Sequence, residues 1–155
     1  MARRCRLLVA VTMLGYAHVS RALRGTFDLV PVFSRTQALT AIKQGGIDAI
    51  VCGVHFEESR MLDFLVAVKA VAPEMPFVCC QLLTTNLSES SLGAAVSAAE
   101  SQGALGFIDY NAVLRARSTA EADRFLRAEI LRLLPRRLDC ADGTGTVAPS
   151  GTDGK

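Results

Sequence analysis

The sequence contains no tryptophan, only two tyrosines and two histidines, and no excess of either charge. Seventeen basic residues face fifteen acidic ones, a formal net charge of +2, so charge alone does not mark a nucleic-acid or anionic-membrane surface. No stretch reaches the eighteen or so consecutive apolar residues that a membrane span requires. Five cysteines are present, at 5, 52, 79, 80 and 140, without a C-x-x-C pair or a regular disulfide framework. Three of them lie inside apolar runs, where thiols act as small hydrophobes, which points to a reducing, cytoplasmic setting.

What the sequence does have is apolar content. Half of its 155 residues are hydrophobic and 21% are charged, enough for one domain with a substantial core. The reading places that domain at residues 1–138 and a flexible, Gly-, Thr- and Asp-rich tail at 139–155. The N-terminal "MARRCRLLVAVTMLGYA" has the basic start and short apolar run of an export signal. The competing reading is a first strand. It is preferred because removing residues 1–17 would delete the strand expected at the centre of the sheet.

Five apolar runs rich in β-branched residues alternate with segments of helical period: 6–11, 27–33, 47–54, 76–83 and 104–110. This is the pattern of a parallel sheet covered by helices. Pro31 suits the second strand to a sheet edge. Ser34 with Gln37 and Ser118 with Glu121 have capping-box spacing and predict two helix starts. Gly45 and Gly46, Pro73, Gly103 and Pro135 predict helix ends. Leu62, Leu65, Val66 and Val68 are expected on the buried face of the third helix, and Phe125, Leu126, Ile130, Leu133 and Leu134 on that of the fifth.

Three constellations invite a chemical reading. Cys52 and His55, with Cys79 or Cys80 from the next strand, provide metal-ligand types but lack the short ligand pairs of structural zinc sites, so no metal is expected. "TMLGYA" (12–17) partly matches the phosphate-binding loop of flavodoxins through Thr12 and Gly15, but Leu14 and Ala17 stand where further hydroxyls are needed. No cofactor is expected, with flavin as the alternative. Arg124, Arg127, Arg132, Arg136 and Arg137 make the polar side of the last helix basic, a solvated face or a surface for an acidic protein.

The phrases "GGIDAIVCGV", "MPFVCCQ" and "GALGFIDYN", in that order and spacing, resemble the third strand, fourth strand and fifth-strand turn of response-regulator receiver domains over residues 5 to about 135. The resemblance implies a CheY-like, flavodoxin-like α/β fold: a five-stranded parallel sheet of order 2-1-3-4-5 with helices on both faces. It also implies a chemistry that these residues do not supply. The receiver site uses an acidic pair, a phosphoacceptor aspartate, a hydroxyl and a lysine. The matching positions here are Val11 and Thr12, Gly53, Gln81 and Tyr110. Asp48 does not substitute, lying at the far end of its strand, roughly 17 Å from the ligand-binding edge. Asp109 alone does not make a magnesium site.

The expectation is therefore a stand-alone pseudo-receiver, not an enzyme, that acts in bacterial two-component signalling through protein contact or dimerisation. The face implied by the resemblance is the fourth helix, fifth strand and fifth helix, around Tyr110, Asn111, Arg124 and Arg127. The alternative is a small-ligand sensor whose pocket at the strand ends is lined by Val11, Thr12, Gly53, His55, Gln81 and Tyr110. No nucleophile, base and orienting group assemble among these residues.

Overall fold

A computed structural model describes residues 4–83 and 88–138. The expected tail at 139–155 lies outside the described residues. Five strands form one parallel sheet: β1 (Arg6–Ala10), β2 (Asp28–Val32), β3 (Ala49–Gly53), β4 (Phe77–Gln81) and β5 (Gly106–Asp109), in the order β2-β1-β3-β4-β5. Sheet order and edge position of β2 agree with the sequence reading. Each strand is shorter than its apolar run, because the flanking residues turn into loops and caps.

Helices connect the strands: α1 (Met13–Leu23), α2 (Arg35–Gln44), α3 (Phe56–Ser59), α4 (Met61–Val71), α5 (Glu89–Ser101), α6 (Tyr110–Ala116) and α7 (Thr119–Leu133). The short elements α3 and α6 were not anticipated. Glu57, Glu58 and Ser59 have φ of 51°, 57° and 69°, so α3 is a left-handed turn that no glycine marks in the sequence. It is tied down where the Glu57 carboxylate accepts the Arg35 backbone N–H, 2.7 Å away at the start of α2.

Alternation along the strands builds two cores. Leu7, Val9, Val51, Val78, Cys80 and Ile108 point to the layer covered by α1 and α7, while Leu8, Ala10, Ile50, Cys52, Phe77 and Cys79 point to that of α2, α4 and α5. Both predicted caps form: Ser34 Oγ accepts the Gln37 N–H and Ser118 Oγ that of Glu121, each at 3.1 Å. The return contacts differ from the ideal box. Gln37 accepts from Phe33, one residue before the cap, and Glu121 from the Ser118 hydroxyl.

The buried face of α4 is Met61, Phe64, Leu65 and Val68; Val66 is 52% exposed, a correction to its expected place. In α7 the buried residues are Ala122, Asp123, Leu126 and Ile130, with Phe125 and Leu133 only partly covered. No helix among the described residues is long and apolar enough to cross a membrane.

Candidate functional site

In open α/β sheets ligands bind beyond the carboxyl ends of the strands, and six of the candidate residues come from that edge. The structure divides them into three groups. Val11, Thr12, Gly53 and His55 line one small cavity with Gly15, Val54, Phe56, Leu82 and Leu83. Gln81 and Tyr110 do not line it, which corrects the expectation of a single six-residue pocket.

The cavity measures about 10 Å³, room for about one water molecule. Apolar side chains narrow it. A Cβ placed on Gly53 would lie 3.3 Å from Val11 Cγ1 and 3.8 Å from Leu82 Cδ1, and the same Leu82 methyl stands 3.1 Å from a Cβ built on Gly15. Leu82 thus reaches across the strand ends between two glycines. Thr12 is committed to structure: it N-caps α1, its Oγ1 accepting the Gly15 N–H at 3.0 Å. His55 Nε2 is buried and meets no hydrogen-bond partner among the described residues.

Gln81 is 6% exposed and points to the opposite layer, where its amide donates to Asp109 Oδ1 over 3.4 Å. Its Oε1 is buried without a partner among the described residues. Asp109 itself N-caps α6, accepting the Ala112 N–H at 3.0 Å.

Tyr110 follows β5, and its ring enters the α1/α7 layer with no exposed surface. There it forms a network that sequence reading missed. Tyr110 OH donates to Asp123 Oδ1 at 2.8 Å and accepts from Arg21 Nη2 at 2.8 Å, and Arg21 Nε donates to Asp123 Oδ2 at 2.8 Å. Arg21 Nη2 also donates to His18 Nδ1 at 3.1 Å. Because arginine only donates, that nitrogen must be an acceptor and His18 must be neutral with its proton on Nε2. A signal was present: Asp123, Leu126 and Ile130 share one helical face, so an acid interrupts the apolar stripe of α7.

The charges follow from this packing. Burial raises the Tyr110 phenol to about 12, assisted by its bond to Asp123. Burial alone would raise Asp123, yet the hydrogen bonds from Arg21 and Tyr110 prevail and hold it below the ordinary aspartate range. Burial and then the Arg21 charge lower His18 below 6.5. With a depressed folded value, the unfolded chain takes up a proton first as pH falls, so stability is lost below about pH 6.5 until His18 also protonates in the fold. We expect His18→Gln to flatten the decline in urea midpoint between pH 7.5 and 5. An unchanged pH profile would show that His18 is not the titrating group.

The interaction-face expectation needs correction at two positions. Tyr110 is fully buried and Asn111 is 5% exposed, so neither presents a side chain to a partner. Arg127 donates to the Ala22 carbonyl on α1 at 3.2 Å and is half-buried. Arg124 is the exposed member of the set. The thiols of Cys52, Cys79 and Cys80 are free and buried; burial pushes Cys79 up to about 12 and raises Cys52 and Cys80 well above the ordinary thiol value, which makes them poor nucleophiles and metal ligands. Among the described residues no three His, Cys, Asp or Glu side chains cluster as a metal site would require.

No family model and no curated protein sequence matches the chain. Solved structures do. A response regulator from Thermotoga maritima superposes with a TM-score of 0.63 at 13% identity, over 85% of this chain and 98% of that one. The chemotaxis response regulator CheY4 of Vibrio cholerae gives 0.61 at 15% identity, over 85% and 100%. A response regulator from Burkholderia pseudomallei, whose structure carries a phosphorylated aspartic acid, gives 0.58 at 14% identity, over 87% and 69%. At such identities the likeness concerns the fold: this chain has the five-stranded CheY-like architecture.

Proposed function

We propose that this chain is a receiver-like module that works without phosphoryl transfer, through contact with a protein partner in bacterial signal transduction. One observation carries the reading. Where receivers hold a carboxylate cluster around magnesium, this fold has Val11, Thr12 and Gly53 around a cavity of about 10 Å³ narrowed by Leu82. A small hard cation needs several oxygen ligands, and these side chains offer one hydroxyl already spent on a helix cap. Pockets for small organic ligands are commonly 300 Å³ or larger, so the small volume weighs against a sensor pocket at the strand ends.

Incubation with acetyl phosphate or beryllofluoride and magnesium is expected to leave the intact mass and the amide spectrum unchanged. A stable phosphoryl adduct would overturn the proposal. Partner contact is tested at Arg124, the exposed arginine of α7: Arg124→Glu should weaken self-association or partner capture while leaving the circular dichroism spectrum and melting temperature near wild type, since exposed charges add little stability. His55→Ala should leave that binding intact. The opposite pattern would move the working surface to the strand ends.

A further inference from the structure

A cleft distinct from the small strand-end cavity opens between the start of α4 and the side of α5. Its volume is about 260 Å³, just under the range of pockets for drug-sized ligands. Val54, Met61, Leu62, Leu92 and Ala95 give it an apolar floor, and Ser59, Arg60 and Asp63 bring polar groups to its rim. Among the described residues neither Arg60, the N-cap of α4, nor Asp63 in its first turn has an ion pair or side-chain hydrogen bond. That turn also lacks a side-chain cap, since Arg60 stands at the N-cap position and provides none.

We propose that this cleft binds a small aliphatic α-amino acid. The chemistry of each wall selects one part of such a molecule. A carboxylate placed near Arg60 gains a charge-assisted bond and the uncapped N–H groups of α4. Asp63, in the first turn of α4 and lining the same cleft, accepts an ammonium group. A ligand of a single charge would be attracted by one of these side chains and repelled by the other, whereas a zwitterion satisfies both. The apolar floor takes a short hydrocarbon side chain, and the volume limits its size. The left-handed turn at Glu57, Glu58 and Ser59, fixed to α2 by Glu57, holds the Arg60 side of the cleft in place before any ligand arrives.

Calorimetric and amide-spectrum titrations of the full chain with L-leucine test the proposal, with leucinamide and 4-methylpentanoate as analogues lacking the carboxylate or the ammonium charge. Saturable binding of leucine is expected, with perturbed amides at Met61, Leu62, Leu92 and Ala95. Arg60→Ala and Asp63→Ala should each weaken it about tenfold, the loss of one charge-assisted bond, and each analogue should bind about tenfold more weakly than leucine. Both substitutions lie on the surface, so wild-type melting temperatures will show that the fold is intact. Absence of saturable binding, perturbation confined to another region, or equal affinity for 4-methylpentanoate would each overturn the assignment. None of these readouts depends on partner capture, so the result stands apart from the reading of α7.

Discussion

Replacing Tyr110 with alanine will cost the fold about 3–5 kcal/mol, the range for deleting a large buried aromatic side chain. The ring is fully buried between β5 and the α1/α7 layer, and its hydroxyl joins Arg21 to Asp123. Two losses therefore coincide, a cavity and a broken polar network. Tyr110→Phe separates them: it keeps the ring and removes only the hydroxyl, so about 1–2 kcal/mol is expected as Asp123 loses a donor. Urea unfolding of the two variants measures both quantities. Near-equal costs would mean that the hydroxyl rather than the packing dominates, and a negligible cost for alanine would contradict the burial itself.

Gly53→Asp, which puts an aspartate where the resemblance expects the receiver's phosphoacceptor, will destabilise the protein by at least about 2 kcal/mol at neutral pH and is expected to give no phosphoryl adduct. Its first atom would stand 3.3 Å from Val11 Cγ1 in a space of about 10 Å³, and overpacking of this kind costs about 1–3 kcal/mol. The remainder comes from placing a carboxylate among apolar side chains, which raises its pKa. A raised folded value means that the penalty is absent at low pH, where both states are protonated, and grows as pH rises through the ordinary aspartate range. Gly53→Ala carries the steric part without the charge, so its cost should be smaller and independent of pH. Equal costs for the two, or a phosphoryl adduct on Gly53→Asp, would contradict the description of a small apolar site.

The five strands, the edge position of β2 and both serine caps were legible because each rests on a local rule: continuous apolar runs, one proline, a hydroxyl three residues before a polar partner; the strand order came from the resemblance to receiver domains. The site was legible in residue type but not in geometry. Gln81 and Tyr110 follow one another around the strand ends in an alignment, yet the period of two sends Gln81 to one layer and Tyr110 to the other. Leu82 reads as one more apolar residue, and only the fold brings its side chain between Gly15 and Gly53. The partners of Tyr110 lie 89 and 13 residues away, at Arg21 and Asp123, beyond the reach of any short motif. The turn at Glu57–Ser59 was hidden for a different reason. Left-handed backbone is usually announced by glycine, and here tertiary contact enforces it on ordinary residues.

Pro31 bears on how copies of this chain can meet. A parallel sheet ends in two open rims, and a flat rim with a full row of N–H and C=O groups recruits further strands, the first step toward filaments. At one rim β2 carries a residue with no N–H to offer; at the other β5 is four residues long and runs directly into α6. An arriving strand finds an incomplete template at one rim and a short one at the other. Growth by strand addition is thereby discouraged in both directions, which leaves the helical faces as the surfaces on which copies of this chain can pack.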